Sequence, residues 1–219
     1  MSMQDLAERF RAVDTTAICD ADKTVRTMSS AIRPRSAQRR ICGTAFTVRC
    51  RDDFLAVLRA VETAAPGDVI VVDGGGREIA LAGELFARGA LVRGLGGIVI
   101  DGGYRDMAYI SGCDLPVYSR FVTPMAGTVS ALGDLQTPVT CGGVTVNPGD
   151  IVLADEEGLI VVAPDQVDDL LARAAAVKDA EGRLVARLTA GATLSQVTNL
   201  DQHVDTLLRG EPSSLALLA

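Results

Sequence analysis

The sequence predicts a mixed α/β sandwich folded as one domain, and three observations predict it. Strand-like and helix-like stretches alternate through the first half, a β-rich stretch with Gly and Pro turns follows, and one long charged helix comes after that. At 219 residues, with no low-complexity linker, the chain has room for one sizeable core and little room for two. Hydrophobic residues make up 48% and aromatics only 4%, so that core has to be built from Val, Ile, Leu and Ala.

Taken in order, Leu6 and Phe10 are spaced i, i+4 and predict an amphipathic helix over residues 3–12. Asp14, Thr15 and Thr16 offer caps for a second helix reaching Ala21. Residues 40–50, RICGTAFTVRC, alternate and are rich in β formers, which predicts a strand. Asp52 or Asp53 caps a helix over 54–64, with Phe54, Leu55, Leu58 and Val61 as its apolar stripe. Pro66-Gly67-Asp68 turns the chain into a buried strand at 68–73 that ends at Gly74-Gly75-Gly76. GELFARGALVRG predicts a helix from near Gly83, and GIVID a buried strand at 97–101. Gly102-Gly103 is expected to turn the chain, Arg105-Asp106 to open a short helix ending near Gly112, and LPVYSRF to form a strand at 115–121. Short strands with Gly and Pro turns then predict antiparallel pairing up to about residue 163; Pro148-Gly149-Asp150 repeats the strand entry of Pro66-Gly67-Asp68. A helix opens at Asp165 and runs to about Thr189. The core is expected over about 14–190, with 191–219 a loose peripheral segment.

Composition excludes several function classes. A net charge of −7 repels phosphate backbones, which argues against nucleic acid as a direct partner. The cationic residues Arg33, Arg35, Arg39, Arg40, Arg49 and Arg51 nevertheless cluster, as a solvated face, the rim of an anion site or a seam between subunits. Five scattered cysteines without C-x-x-C spacing fit neither a disulfide framework nor a zinc ribbon. The first ten residues carry Asp and Glu where a signal peptide has a basic head, and no apolar run is long enough to span a bilayer. The expectation is a cytoplasmic protein with no membrane partner.

Chemistry is expected at two glycine-rich loops that each follow a buried strand and open a helix. One runs from Gly74 to Gly83-Glu84-Leu85-Phe86, the other from Asp101 to Arg105-Asp106. Ligands gather at the carboxyl ends of strands in α/β sheets, and a helix N-terminus offers unpaired amides to an anion. The amides near Leu85 and Phe86 could hold a carboxylate, Arg105 could add a bidentate cation, and Asp106 could supply a hard oxygen for Mg²⁺ or Mn²⁺. Plainer readings stand beside these: Asp106 capping the helix it opens, Arg105 pairing with a surface acid, Glu84 as an ordinary first-turn acid. Neither loop carries G-x-G-x-x-G or G-K-[ST], which excludes nucleotide binding by those motifs. The single histidine, His203, lies in the peripheral segment; Cys19 has no histidine near it; the only lysines are Lys23 and Lys178. Triads, histidine-ligated zinc and Schiff-base chemistry are therefore disfavoured.

PGDVIVVDGGG, GELFARGALVRGLGGIVIDGGYRD, LPVYSRFVTP and VNPGDIVLADEEGLIVVAP, in that order, resemble the RraA-like family over roughly residues 14–190. The resemblance implies a swivelling β/β/α-type fold. It also implies a divalent-metal-dependent class II pyruvate aldolase or oxaloacetate decarboxylase acting on small 4-hydroxy-2-oxo or 2-oxo dicarboxylic acids. The family signature, an acid separated by twenty residues from an Arg-Asp pair, is met by Glu84 and Arg105-Asp106. By resemblance Asp106 holds Mg²⁺ or Mn²⁺, largely through waters. Arg105 contacts the 2-oxo acid and, with Glu84, serves catalysis; Gly83, Leu85 and Phe86 bind the carboxylate. Glu181 is the candidate carboxylate contributed by a neighbouring subunit. Two positions depart from the pattern. Tyr109 stands where a second acid is usual, and the first acid is Glu where characterised aldolases have Asp. Other members of the family are protein-binding regulators of ribonuclease E, which gives the alternative: a non-catalytic regulator of RNA degradation. A short chain that is 48% hydrophobic and 22% charged also predicts a homo-oligomer, and the resemblance implies a trimer or hexamer.

Overall fold

The computed structural model describes residues 3–218; Met1, Ser2 and Ala219, at the ends of the expected single domain, lie outside it. Its strands are β1 Arg26–Thr27, β2 Arg33–Pro34, β3 Ile41–Arg49, β4 Val69–Asp73, β5 Ala80–Ala82, β6 Gly97–Tyr104, β7 Val117–Val122, β8 Asp134–Leu135, β9 Val139–Cys141, β10 Val144–Val146, β11 Ile151–Ala154 and β12 Leu159–Val162. Its helices are α1 Met3–Arg11, α2 Thr15–Ala21, α3 Leu55–Thr63, α4 Glu84–Val92, α5 Met107–Ile110, α6 Val167–Thr189, α7 Leu194–Val197 and α8 Leu200–Leu208.

One mixed sheet runs in the order β1-β12-β11-β3-β4-β6-β7-β2. Strands β3, β4, β6 and β7 are parallel, and antiparallel pairs flank them, so the class is the mixed α/β one that the alternation predicts. Side chains alternate across the pleat. Val69, Val71, Val99, Val152, Ala154, Leu159 and Val161 line one face of the sheet, together with Val139, Cys141 and Val146 of the β9–β10 hairpin. On the opposite face, Ile70, Val72, Ile98 and Ile100 pack under α3 and α4, whereas Ile151, Leu153, Ile160 and Val162 pack under α1, α2 and α6. Strands covered on both faces have to be apolar at nearly every position, which is why VIVVD and IVLA carry no alternation in sequence.

Helix caps follow the predicted chemistry. Asp14 accepts the Ala17 amide at 2.8 Å and opens α2; Asp53, not Asp52, engages the start of α3, accepting the Leu55 amide at 2.9 Å. Three expectations need correction. The buried face of α3 is Ala56, Val57, Ala60 and Val61, and Leu58 of the expected stripe is exposed. Gly102-Gly103 does not turn the chain: β6 continues through Tyr104, because the unpredicted strand β5 pairs beside it. Those glycines serve close approach, since a Cβ on Gly103 would lie 2.7 Å from the Ile79 carbonyl oxygen. The segment after Gly191 is not a loose tail either. Thr193 and Gln196 form a reciprocal capping box on α7, and Val197 is buried. α8 does lie peripherally, with no buried residue. No helix among the described residues is long and apolar enough to cross a membrane.

Candidate active site

The two glycine-rich loops meet where β5 and β6 end. Gly103 N–H donates to Ile79 O at 2.9 Å and Arg105 N–H to Ala82 O at 3.2 Å. The buried Tyr104 hydroxyl donates to Gly83 O at 3.2 Å, tying the end of β6 to the start of α4. Burial pushes the Tyr104 hydroxyl pKa up, so it stays a neutral donor.

Asp106 then makes the contact that defines the corner. It takes a left-handed conformation, φ 63°, at the entrance to α5, and its side chain makes no capping bond to that helix. Instead it crosses to α4, where Oδ2 accepts the Glu84 amide at 2.9 Å. The plainer reading of Asp106 as a cap for its own helix is thereby excluded. Arg105 Nε lies 3.7 Å from the same oxygen. Gly83 leaves room for this contact, because a Cβ on it would sit 2.3 Å from Asp106 Oδ2 and displace the carboxylate. Within the first turn of α4, Glu84 N–H is taken by Asp106 and Phe86 N–H donates to Gly83 O at 3.1 Å. Leu85 N–H has no acceptor among the described residues. Of the two amides predicted to meet a carboxylate, Leu85 is the open one.

Glu84 points along α4, where its Oε1 accepts Arg88 Nε at 2.8 Å. The Arg88 guanidinium lies over the ring of Tyr109, 4.2 Å from its centroid. Arg88 was not singled out from sequence, although an acid and an arginine four apart on a helix is a readable signal.

The remaining candidates fall elsewhere. Glu181 sits on α6, 3.9 Å from Lys178, on the layer that packs with α1 and α2. Its expected role concerns a second copy of the chain. The arginine cluster divides: Arg49 and Arg51 pair with the buried Asp73 at 3.6 and 3.0 Å, and Arg35 is held by the Ser119 hydroxyl and two carbonyls. Arg40 donates to the carbonyls of Phe10 and Val13. Arg33 and Arg39 are exposed, as is Arg51 despite its pairing with Asp73. His203 shares a hydrogen bond with Ser213 at 2.9 Å, far along the chain in α8.

No group of three or more His, Cys, Asp and Glu suited to a metal occurs among the described residues. The corner offers instead one carboxylate, fixed through Oδ2 and 41% exposed at the side chain, with Oδ1 uncommitted. That donor set fits Mg²⁺, which keeps most of its waters and often takes only one or two protein carboxylates.

Comparison with known proteins gives the family. The family model described as RraA-like, Aldolase/RraA, matches residues 15–161. A protein of Halalkalibacterium halodurans, provisionally named 4-hydroxy-4-methyl-2-oxoglutarate aldolase, is 35% identical over 78% of this chain and 82% of its own. Among solved structures, an uncharacterised protein from Pseudomonas syringae is 28% identical, with a TM-score of 0.79 over 90% of this chain and 93% of its own. The RNA-processing inhibitor RraA of Thermus thermophilis is 29% identical, with a TM-score of 0.64 over 68% of this chain and 92% of its own. On the family match and on relatives at these identities, the chain belongs to the RraA-like family.

Proposed function

We propose that the chain is a divalent-metal-dependent carbon–carbon lyase that releases pyruvate from 4-hydroxy-2-oxo acids or oxaloacetate. The observation that carries this reading is the corner itself, where Asp106, Arg105 and the open Leu85 amide converge on Gly83. The aldolase name given to the Halalkalibacterium halodurans relative supports the same class of reaction.

Asp106 would hold Mg²⁺ or Mn²⁺, and the ion, when bound, supplies Lewis-acid polarisation of the 2-oxo group. The protein's own residues supply the rest. The Leu85 amide, at the positive end of α4, receives the substrate carboxylate. Arg105, an always-charged fork held beside that position, binds the 2-oxo acid and offsets the negative charge that develops as the C–C bond breaks. Glu84, ion-paired with Arg88, keeps a carboxylate at the start of the helix for proton traffic at the site.

A second reading, a protein-binding regulator of ribonuclease E, is favoured by the likeness to the Thermus thermophilis RNA-processing inhibitor. A pyruvate-coupled assay with oxaloacetate decides between them, after subtraction of the blank for free metal. The lyase reading predicts pyruvate release that EDTA abolishes and Mg²⁺ or Mn²⁺ restores. A rate no higher than the blank would leave the regulator.

A further inference from the structure

We propose that Tyr104 is the positioning residue of the metal carboxylate: its buried hydroxyl, acting through the Gly83–Glu84 peptide group, holds Asp106 in the conformation that receives a divalent ion. The inference rests on the metal-dependent reading of the Gly83–Asp106 corner and adds to it a residue that touches neither ion nor substrate.

The geometry is a run of three bonds between two short segments. Tyr104, Arg105 and Asp106 meet Gly83, Ala82 and Glu84 respectively, through the Tyr104 hydroxyl at 3.2 Å, the Arg105 amide at 3.2 Å and Asp106 Oδ2 at 2.9 Å. The first and third of these fall on one peptide group. Its carbonyl oxygen, on Gly83, accepts from Tyr104, and its N–H, on Glu84, donates to Asp106. A peptide group is planar, so a bond that fixes the oxygen also fixes the direction of the N–H. Hydrogen bonds in a chain polarise one another, so a carbonyl that accepts one makes its N–H a stronger donor. Asp106 needs that anchor. Its backbone is left-handed, φ 63°, and Arg105 Nε lies 3.7 Å from the same Oδ2 as a competing partner. With Oδ2 pinned to the Glu84 amide, Oδ1 stays uncommitted.

The hydroxyl contributes little else. Tyr104 is fully buried in the core that α3 and α4 cover, where a phenylalanine would fill the same space. Gly83 O is its one hydrogen-bond partner among the described residues. That oxygen already accepts the amides of Phe86 and Ala87, at 3.1 and 3.2 Å, so the start of α4 does not depend on the tyrosine for a bond. Burying a hydroxyl costs desolvation against the gain of one neutral bond, which leaves a small net contribution to the fold. What the bond adds is direction at the Glu84 amide.

Mn²⁺ titration followed by electron paramagnetic resonance tests this without turnover, on the wild type, Tyr104→Phe and Tyr118→Phe. Tyr118 is the matched control, a fully buried tyrosine whose hydroxyl lies 2.7 Å from the carbonyl oxygens of Arg39 and Asp155. Tyr104→Phe should weaken Mn²⁺ binding about tenfold or more, as loss of a group that orients a metal ligand does. Its melting temperature in metal-free buffer should stay within a few degrees of the wild type. Tyr118→Phe should keep the wild-type affinity within about twofold. The proposal is overturned if Tyr104→Phe binds Mn²⁺ as the wild type does, if its melting temperature collapses with the affinity, or if Tyr118→Phe weakens binding equally. A wild type that binds no Mn²⁺ overturns it together with the metal reading. Pyruvate release by a wild type whose Mn²⁺ affinity is indifferent to Tyr104 would remove the role of Tyr104 alone. Mn²⁺ binding that depends on Tyr104, without pyruvate release, would remove the lyase reading alone.

Discussion

Asp106 shows how one side chain's direction separates a structural residue from a functional one. A helix-opening Asp ordinarily caps its own helix, but this one adopts the left-handed conformation and reaches the amide of Glu84 on another helix. Arg105 lies beside it, and the chemistry asks for a planar fork there. Arg105→Lys should therefore lower kcat/KM for pyruvate release by about 10²-fold or more; a change under about threefold would make Arg105 structural. Asp53 is the contrasting case of a buried carboxylate with a purely architectural task. Burial alone would raise its pKa. The Thr128 hydroxyl and the amides of Leu55, Ser130 and Ala131 outweigh that and hold it well below the usual carboxylate range. A depressed pKa contributes stability that is present above the unfolded value, about 3.9, and is lost as pH falls through the folded one. Asp53→Asn should cost about 2 kcal/mol in urea unfolding at pH 7, and the gap to wild type should narrow below about pH 4. A gap independent of pH would mean that the charge is not what matters.

Among the elements, α4 carries the site because the residue that caps its start, Gly83, leaves the Asp106 carboxylate room to reach it. Gly83→Ala would put a methyl group 2.3 Å from Asp106 Oδ2, so the carboxylate or the helix start has to move. The expected outcome is at least about a 10²-fold loss of pyruvate release, with a melting temperature only a few degrees lower, since shifts near 1 Å are costly to catalysis and exposed ends give. Activity near wild type would place the reacting groups elsewhere. Much at this scale was readable in the sequence. The apolar runs of β4, β6 and β11, the Asp14 cap, and the Glu84 to Arg105-Asp106 spacing gave the mixed sheet and the corner. What was not readable depends on tertiary pairing. Ala80–Ala82 is three small residues that become a strand only because β6 runs on beside them. Gly102-Gly103 reads as a turn locally yet serves close backbone contact. The Arg88–Tyr109 stack joins two helices, so neither segment alone announces it.

For the whole molecule, the surface still has apolar residues to cover. Leu85 is 80% exposed and Val92 88%, and Met125, Val129 and Leu132 are also exposed. Leu85 stands in the first turn of α4, so a neighbour covering it would also close the site. Those residues are expected to be covered in a homo-oligomer, which the family resemblance implies to be a trimer or hexamer with Glu181 of one copy approaching the corner of the next. Specific activity should then fall on dilution below the assembly constant. A monomer with full activity would defeat both the assembly and the shared site. The central claim, that the corner built on Gly83 binds the metal through Asp106 and releases pyruvate there, is tested most directly by Asp106→Asn. Asparagine keeps the shape and a carbonyl acceptor for the Glu84 amide but removes the anionic oxygen. With oxaloacetate and titrated Mg²⁺, above the metal-only blank, the wild type should release pyruvate in a saturable, Mg²⁺-dependent manner. The variant, folded by its melt, should lose about 10²-fold or more at every Mg²⁺ concentration. A variant with the wild type's rate and Mg²⁺ dependence would contradict the account.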